Sequence, residues 1–422
     1  MSKFNSNQWL ESRIRFGVKA GLDNITEALE LLERPDQELQ VILVAGTNGK
    51  GYTTSLLANL MTECGNKVGW FCSPHLVSVR ERIRIANTPI PQLELDNICF
   101  EISQKCKSIE LTYFEAITLI AILYFKQEGV DWCIFEVGLG GRLDSTNVLQ
   151  PQISVITSIG LDHSEFLGHD LKSILFEKCG IMRPERPVFS QIIQNDLRDE
   201  IKKIATQKNA DLRLLNFQKD LLQGHFKRNQ DLAIAVIQTI YPQFHPLPPV
   251  LLDIIKSHEW AGRQQVIEDP VYMQKGATLM IDGAHNPESM RELKLYLETV
   301  PGKKAIVLGL MFDKELRLIF DEIVSMKVDV YFVRGDFPRF AEPEELVKKF
   351  NLYTGKDSTS ISMKSLIDAD FLKSKGYDQC TLSGSLYLIG EYISKTAHRS
   401  ENLKWFRQFT PDLNEMSHSN ST

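Results

Sequence analysis

The chain has 422 residues, a length that suits two packed domains better than a single core. Its composition, 43% hydrophobic and 24% charged, is that of a folded globular protein rather than a disordered or fibrous one. A net charge of −6 and a pI near 5.9 offer no electrostatic argument for nucleic acid or an anionic membrane, so a bound anion needs a local site.

The opening residues MSKFNSNQWLESRIR are polar and mixed in charge, with no apolar signal core. The longest apolar run, Ala116 to Phe125 with Thr118 inside it, is too short for a membrane span. Seven cysteines stand without a C-x-x-C pair, which indicates neither a zinc ribbon nor a disulfide framework. Reduced thiols in a cytoplasmic, monomeric protein are the expectation.

Asp23 and Asn24 precede ITEALELLERP, whose Ile25, Ala28, Leu29, Leu31 and Leu32 predict a capped amphipathic helix stopped near Pro35. VILVAG reads as a buried strand, and Thr53 to Cys64 as a helix. KVGWFCS (67–73) is a second strand, residues 111–129 an apolar helix, and DWCIFEVG (131–138) a third strand. ISVITSIG (153–160) and RPVFSQII (186–193) complete the series. Such alternation, with continuously apolar strands, predicts a mostly parallel sheet covered by helices on both faces.

YPQFHPLPPVL (241–251), with four prolines, reads as a surface connection near a hinge. A second alternating series follows at 277–284, 304–311, 328–335 and 377–385. The predicted architecture is α/β: a P-loop-type domain over 1–258, a smaller Rossmann-like domain over 259–405, and a disordered polar tail over 406–422.

One loop carries chemistry on its own. AGTNGKG lies directly after a buried strand and before a helix, where backbone N–H groups and the helix dipole favour a phosphate and Lys50 adds a point charge. A bare glycine turn would explain Gly46 and Gly49 but not Lys50. It is not a standard Walker A loop, because Val44 stands where that motif has its first glycine.

Together with SPHLVSVRERIRI (73–85), FEVGLGGRLDSTNV (135–148), TSIGLDHSEFLG (157–168), EKCGIMRP (177–184) and IDGAHNP (281–287), this loop resembles the folate ligases. These are dihydrofolate synthase and folylpolyglutamate synthase, relatives of the Mur ligases, and the motifs run in the family's order over residues 16–390. The resemblance implies an ATP-dependent ligase joining L-glutamate to dihydropteroate and to tetrahydrofolates through an acyl phosphate. It implies that Gly46, Thr47, Asn48, Gly49, Lys50 and Gly51 cradle ATP, with Asn229 on the adenine, Arg263 on a phosphate, Asp282 on the ribose and His285 close by. The two domains would close on one nucleotide, keeping the acyl phosphate from water.

Ser73, Glu136 and His163 fall at the ends of three predicted parallel strands, the edge at which open α/β sheets place ligands. Hard oxygen donors beside a triphosphate suit Mg²⁺, two ions by resemblance, while His163 as a ligand rests on the resemblance alone. Lys178 matches a lysine that the family carbamylates, a step requiring a neutral amine and CO₂. Lys50, Lys178 and His163 are thus the expected catalytic set. The pterin side is implied at Val18, Lys19, Thr112, Tyr113, Phe114, Glu115, Leu143, Asp144 and Ser145.

Two departures from the family's pattern stand out. Asp23 and Asn24 replace a usual Glu-Arg, and Tyr52 occupies a position where relatives carry Ser or Thr. Thr53, Thr54 or Ser73 could supply the missing hydroxyl, or the phenol could stack on a ligand. Other functions remain in view: a monofunctional folylpolyglutamate synthase, a Mur enzyme acting on a UDP-linked peptide, a nucleotide switch and a degenerate scaffold. GKG in place of GKT disfavours the Mur enzyme, and NKVG (66–69) lacks the aspartate of a guanine-reading motif.

Overall fold

The computed structural model describes residues 4–17, 19, 21–215, 224–312, 314–373 and 375–409. They form two compact units, one of residues 1–73 and 79–258, the other of 74–78 and 259–422. The short segment Pro74–Ser78 therefore leaves the first unit and contributes Leu76 and Val77 to the second core.

The first unit holds β1 (Val41–Ala45), β2 (Val68–Phe71), β3 (Ile83–Ile85), β4 (Thr88–Pro89), β5 (Trp132–Glu136), β6 (Ile153–Ile156), β7 (Pro187–Ser190) and β8 (Asp211–Leu214). Their order is β4-β3-β2-β5-β1-β6-β7-β8, parallel from β2 to β8, with β3 and β4 antiparallel. After β1 the chain turns toward β2, and after β5 it crosses to β6 on the other side. The loops after β1 and β6 thus flank the topological switch point of the sheet, where ligands of this architecture bind.

The helix over Tyr113–Gln127 buries an unbroken run from Glu115 to Phe125. It is started by a capping box in which Thr112 and Glu115 satisfy each other's backbone N–H groups. The second unit contains β9 (Gln265–Ile267), β10 (Thr278–Ile281), β11 (Lys304–Leu308), β12 (Asp329–Phe332), β13 (Ser358–Ser360) and β14 (Gln379–Ser383). The order is β13-β12-β11-β14-β10-β9, parallel except for β9.

Several expectations need correction. The helix expected from Thr53 begins at Lys50, because left-handed Gly49 starts it and Gly51 and Tyr52 continue it. The helix expected to be capped by Asp23 and Asn24 has no side-chain cap: Asp23 is its first residue, and the Asn24 amide donates to Glu110 O instead. Strands β3, β4, β8, β9 and β13 lie outside the predicted series; they are short or alternate with charged residues. The proline-rich stretch runs into a helix over Pro249–Ser257 within the first unit. Residues 406–409, expected in the tail, are helical, with Phe406 buried; residues 410–422 lie outside the described residues. Among the described residues no helix is long and apolar enough to cross a membrane, and the seven cysteines are unpaired.

Candidate active site

The phosphate loop is built against the residues that follow β6. Thr47 N donates to Ser158 O (2.8 Å), Asn48 N to Ser158 Oγ (3.0 Å), and Thr157 Oγ1 to Asn48 O (2.7 Å). Thr47 Oγ1 donates to Gly160 O and accepts from Gly160 N, at 3.1 and 3.0 Å. The serine and threonine of TSIG thus fix the loop's shape, a role the sequence motif did not disclose. Gly46 has φ +152°, and a Cβ there would lie 1.8 Å from Thr157 Oγ1.

Two lysines converge on one loop carbonyl. Lys50, the first residue of its helix, donates from Nζ to Gly46 O (3.0 Å) and Thr47 O (3.1 Å). Lys178 closes the helix Leu171–Lys178, is 4% exposed, and also donates to Gly46 O, at 3.0 Å. The Asp170 carboxylate caps the start of that helix, accepting from Lys172 N and Ser173 N. Lys50 thereby places a cation at the N-terminus of its own helix, Lys50–Glu63, a setting that favours a polyanion, and Lys178 Nζ shares its carbonyl.

Glu136, 4% exposed, pairs in register with Val44 at the root of the loop and accepts from Ser73 N at 3.0 Å. Ser73 and Glu136 are therefore adjacent. His163 is exposed on the loop beyond β6, in the left-handed region at φ +53°, with its Nε2 3.9 Å from Asp162 Oδ2. Among the described residues no group of three or more His, Cys, Asp and Glu forms a metal cluster.

Tyr52 packs against the helix His225–Ile240 and His258. It is buried, packs on Phe226 (5.0 Å between centroids) and edge-on to His258 (4.9 Å), and its hydroxyl accepts from Gln230 Nε2 at 3.0 Å. His258 in turn meets Ser55 Oγ (2.8 Å) and Asn59 Nδ2 (3.2 Å), and burial pushes its pKa down to about 4. The hydroxyls of Thr53 and Thr54 are buried without a hydrogen-bond partner among the described residues. These two, rather than the phenol, are the unengaged hydroxyls close to Lys50 in the chain.

The helix His225–Ile240 brings Asn229, 1% exposed, against Gly49. Its Oδ1 accepts from Gln191 Nε2 at 2.6 Å. Gln191, just past β7, was not singled out by sequence; only its position at a strand end could have indicated it.

The implied pterin residues have partners of their own. Thr112 and Glu115 form the capping box. The Arg82 guanidinium lies over the Tyr113 ring at 5.4 Å, and Phe114 packs on Phe71 at 5.8 Å. Buried Asp144 accepts from Leu139 N and from Thr146 N and Oγ1; desolvation raises its pKa, with those hydrogen bonds opposing the shift. Ser145 Oγ meets Thr118 Oγ1 at 3.1 Å, Leu143 is half-buried, and exposed Lys19 pairs with Glu110. Val18 lies outside the described residues.

In the second unit, two loops are tied together beside the end of β10. Asp282 accepts from Ala284 N and Gln264 N, each at 2.8 Å, and Gly283 N donates to Gly262 O. Arg263 thus stands beside Asp282 in structure, while His285 Nδ1 contacts Gly283 O at 2.7 Å. Asn286 caps the helix that follows, Pro287–Thr299.

Residues 44–238 match the Mur ligase middle domain, and residues 262–386 the Mur ligase glutamate ligase domain. The chain is 31% identical over 378 residues to the dihydrofolate synthase/folylpolyglutamate synthase of Escherichia coli K12, covering 84% of this chain and 86% of that protein. It belongs to the folate ligases of the Mur ligase superfamily. Among solved structures it resembles E. coli FolC in complex with DHPP and ADP (TM-score 0.80, 28% identity, 93% and 98% of the two chains). It also resembles the bifunctional folylpolyglutamate synthase/dihydrofolate synthase of Yersinia pestis complexed with AMPPNP and a Mn ion (TM-score 0.79, 27% identity, 92% and 96%). As a member of this family the chain is an ATP-dependent ligase that forms carbon–nitrogen bonds.

Proposed function

We infer that this chain joins L-glutamate to 7,8-dihydropteroate and extends reduced folates with further γ-linked glutamates, releasing ADP and phosphate. The observation that carries the reading is the phosphate loop at the switch point, with Lys50 and Lys178 converging on Gly46 O beside buried Glu136. In the first step a carboxylate oxygen of the pterin substrate attacks the γ-phosphorus of ATP and ADP departs. The glutamate amine then attacks the acyl carbon, loses a proton, and expels phosphate carrying the former carboxylate oxygen.

The chain's part is chiefly positioning and fixed positive charge. Loop N–H groups and Lys50 hold the phosphates, while Thr157 and Ser158 hold the loop. In the second unit, Arg263 suits a phosphate through its planar fork, and Asp282, beside His285, suits ribose hydroxyls. Tyr113, Phe114 and the 143–145 loop are assigned to the pterin.

The donor set fits Mg²⁺ in its usual phosphate-bound mode. One buried carboxylate with Ser73 adjacent is too sparse for an all-protein cage but suits an ion that keeps waters and takes phosphate oxygens. Bound there, Mg²⁺ would offset charge developing on the triphosphate. We assign a carbamate to Lys178: its neutral amine would add to CO₂ with loss of a proton, exchanging the Gly46 contact for an anionic group. Incubation with ¹³C-bicarbonate should give a carbamate carbon resonance that Lys178→Arg abolishes; the same resonance in the variant would refute the assignment.

Phosphate release from Mg·ATP with L-glutamate tests the substrate reading. Release with both dihydropteroate and a reduced folate is expected. Release with the folate alone would restrict the enzyme to tail extension, and pterin-independent release would overturn the assignment.

A further inference from the structure

At the end of β7 polar groups are buried without protein partners among the described residues. Ser190 is 0% and Gln191 5% exposed. The Gln191 amide donates to Asn229 Oδ1 at 2.6 Å. Among the described residues, Ser190 Oγ, Gln191 Oε1 and Asn229 Nδ2 then have no hydrogen-bond partner. Buried polar groups are nearly always paired, so three orphans together call for a polar ligand.

The place of these groups says which ligand. A Cβ on Gly49 would lie 2.5 Å from Asn229 Nδ2 and 2.7 Å from its Oδ1, so the amide abuts the turn of the phosphate loop. Gln191 follows the C-terminal end of a parallel strand on the loop's own sheet edge. A nucleotide with its phosphates on the loop therefore has its base as the group able to meet both amides.

We propose that Gln191, hydrogen-bonded to Asn229, selects adenine as the nucleotide base, the pair offering one N–H donor and one carbonyl acceptor to adenine's ring nitrogen and exocyclic amine. The proposal rests on the ATP reading above and adds a residue that the family resemblance did not supply. An amide–amide hydrogen bond engages one NH2 group and one carbonyl, so one NH2 group and one carbonyl are left without a partner whichever way the two side chains are turned. Adenine presents N6–H₂ as donor beside N7 as acceptor. Hypoxanthine and guanine present two acceptors there, O6 and N7, and the free carbonyl would face an oxygen. A lone asparagine could rotate to suit either base; the link to Gln191 removes that freedom.

The test compares kcat/KM for ATP and inosine triphosphate, which differ at the six position of the base and keep the same phosphates. The wild type should prefer ATP by about tenfold to a hundredfold, the discrimination of a good two-point contact. Gln191→Leu should lower kcat/KM with ATP and leave the inosine nucleotide nearly unchanged, so that the ratio falls toward one. An equal loss with both nucleotides would reduce Gln191 to a structural residue and overturn the proposal. Should the variant not fold, the wild-type affinities for ADP and inosine diphosphate, measured by calorimetry, decide: equal dissociation constants refute base selection. If the wild type turned over no nucleotide with pterin and glutamate, the ligase reading would fall first, and the two binding constants would still judge the amide pair.

Discussion

Lys50 is held by two backbone carbonyls, Gly46 O and Thr47 O, rather than by a carboxylate. Such contacts aim a cation without neutralising it. Lys50→Ala should therefore lower turnover by about 10²–10³, about 3–4 kcal/mol, with saturating ATP, as for loss of one charge-stabilising donor. Near-normal turnover in that variant would refute the phosphate-loop mechanism. Gly46 makes the complementary case, since a methyl there must displace the Thr157 hydroxyl that orders the loop. Gly46→Ala should raise the ATP requirement severely while leaving pterin binding intact, as judged by direct titration of each ligand. Tyr52 gives the opposite expectation. Its hydroxyl serves Gln230, so Tyr52→Phe should cost about 0.5–1.5 kcal/mol of stability without altering the KM for ATP. A large rise in that KM would place the phenol on the nucleotide.

At the scale of elements, Tyr52 and His258 join the phosphate-loop helix to the helix His225–Ile240 and to the end of Pro249–Ser257. His258 has a pKa near 4 in the folded protein, below the ordinary 6.5, because burial disfavours its charged form. As pH falls from about 6.5 toward 4 the unfolded chain takes up this proton first. The associated stability, up to about 3 kcal/mol, is fully present above 6.5 and lost across that window. Denaturant midpoints at pH 7 and pH 4.5 should show a smaller acid loss in His258→Gln than in the wild type; equal losses would contradict the account. Legibility from sequence followed the same physics. The central strands β1, β5 and β6 are plain because they are almost wholly buried and predominantly apolar, Glu136 and Ser154 being the exceptions. β13 (STS) and β8 (DLRL) are not, because edge strands carry polar residues that read as loop. Lys50 could be read from its local spacing, whereas the Lys178–Gly46 contact spans 132 positions and the Gln191–Asn229 contact 38. Thr112 and Glu115 show the reverse problem: the family motif drew attention to a pair whose contacts here cap a helix.

For the whole molecule, each unit brings together its own set: loop, lysines and Glu136 in the first, Arg263, Asp282 and His285 in the second. Both sets sit at the ends of parallel strands, the edge at which this architecture binds ligands. The motif SPHL is divided between the units, Ser73 belonging to the first and Pro74–Leu76 to the second. In the proposed reaction ATP activates the pterin carboxylate as an acyl phosphate. Dihydropteroate labelled with ¹⁸O in its carboxylate tests it most directly, by mass spectrometry of the phosphate released during ligation to L-glutamate. One ¹⁸O atom is expected in each phosphate formed per amide bond. Phosphate free of the label, with ligation intact, would contradict it.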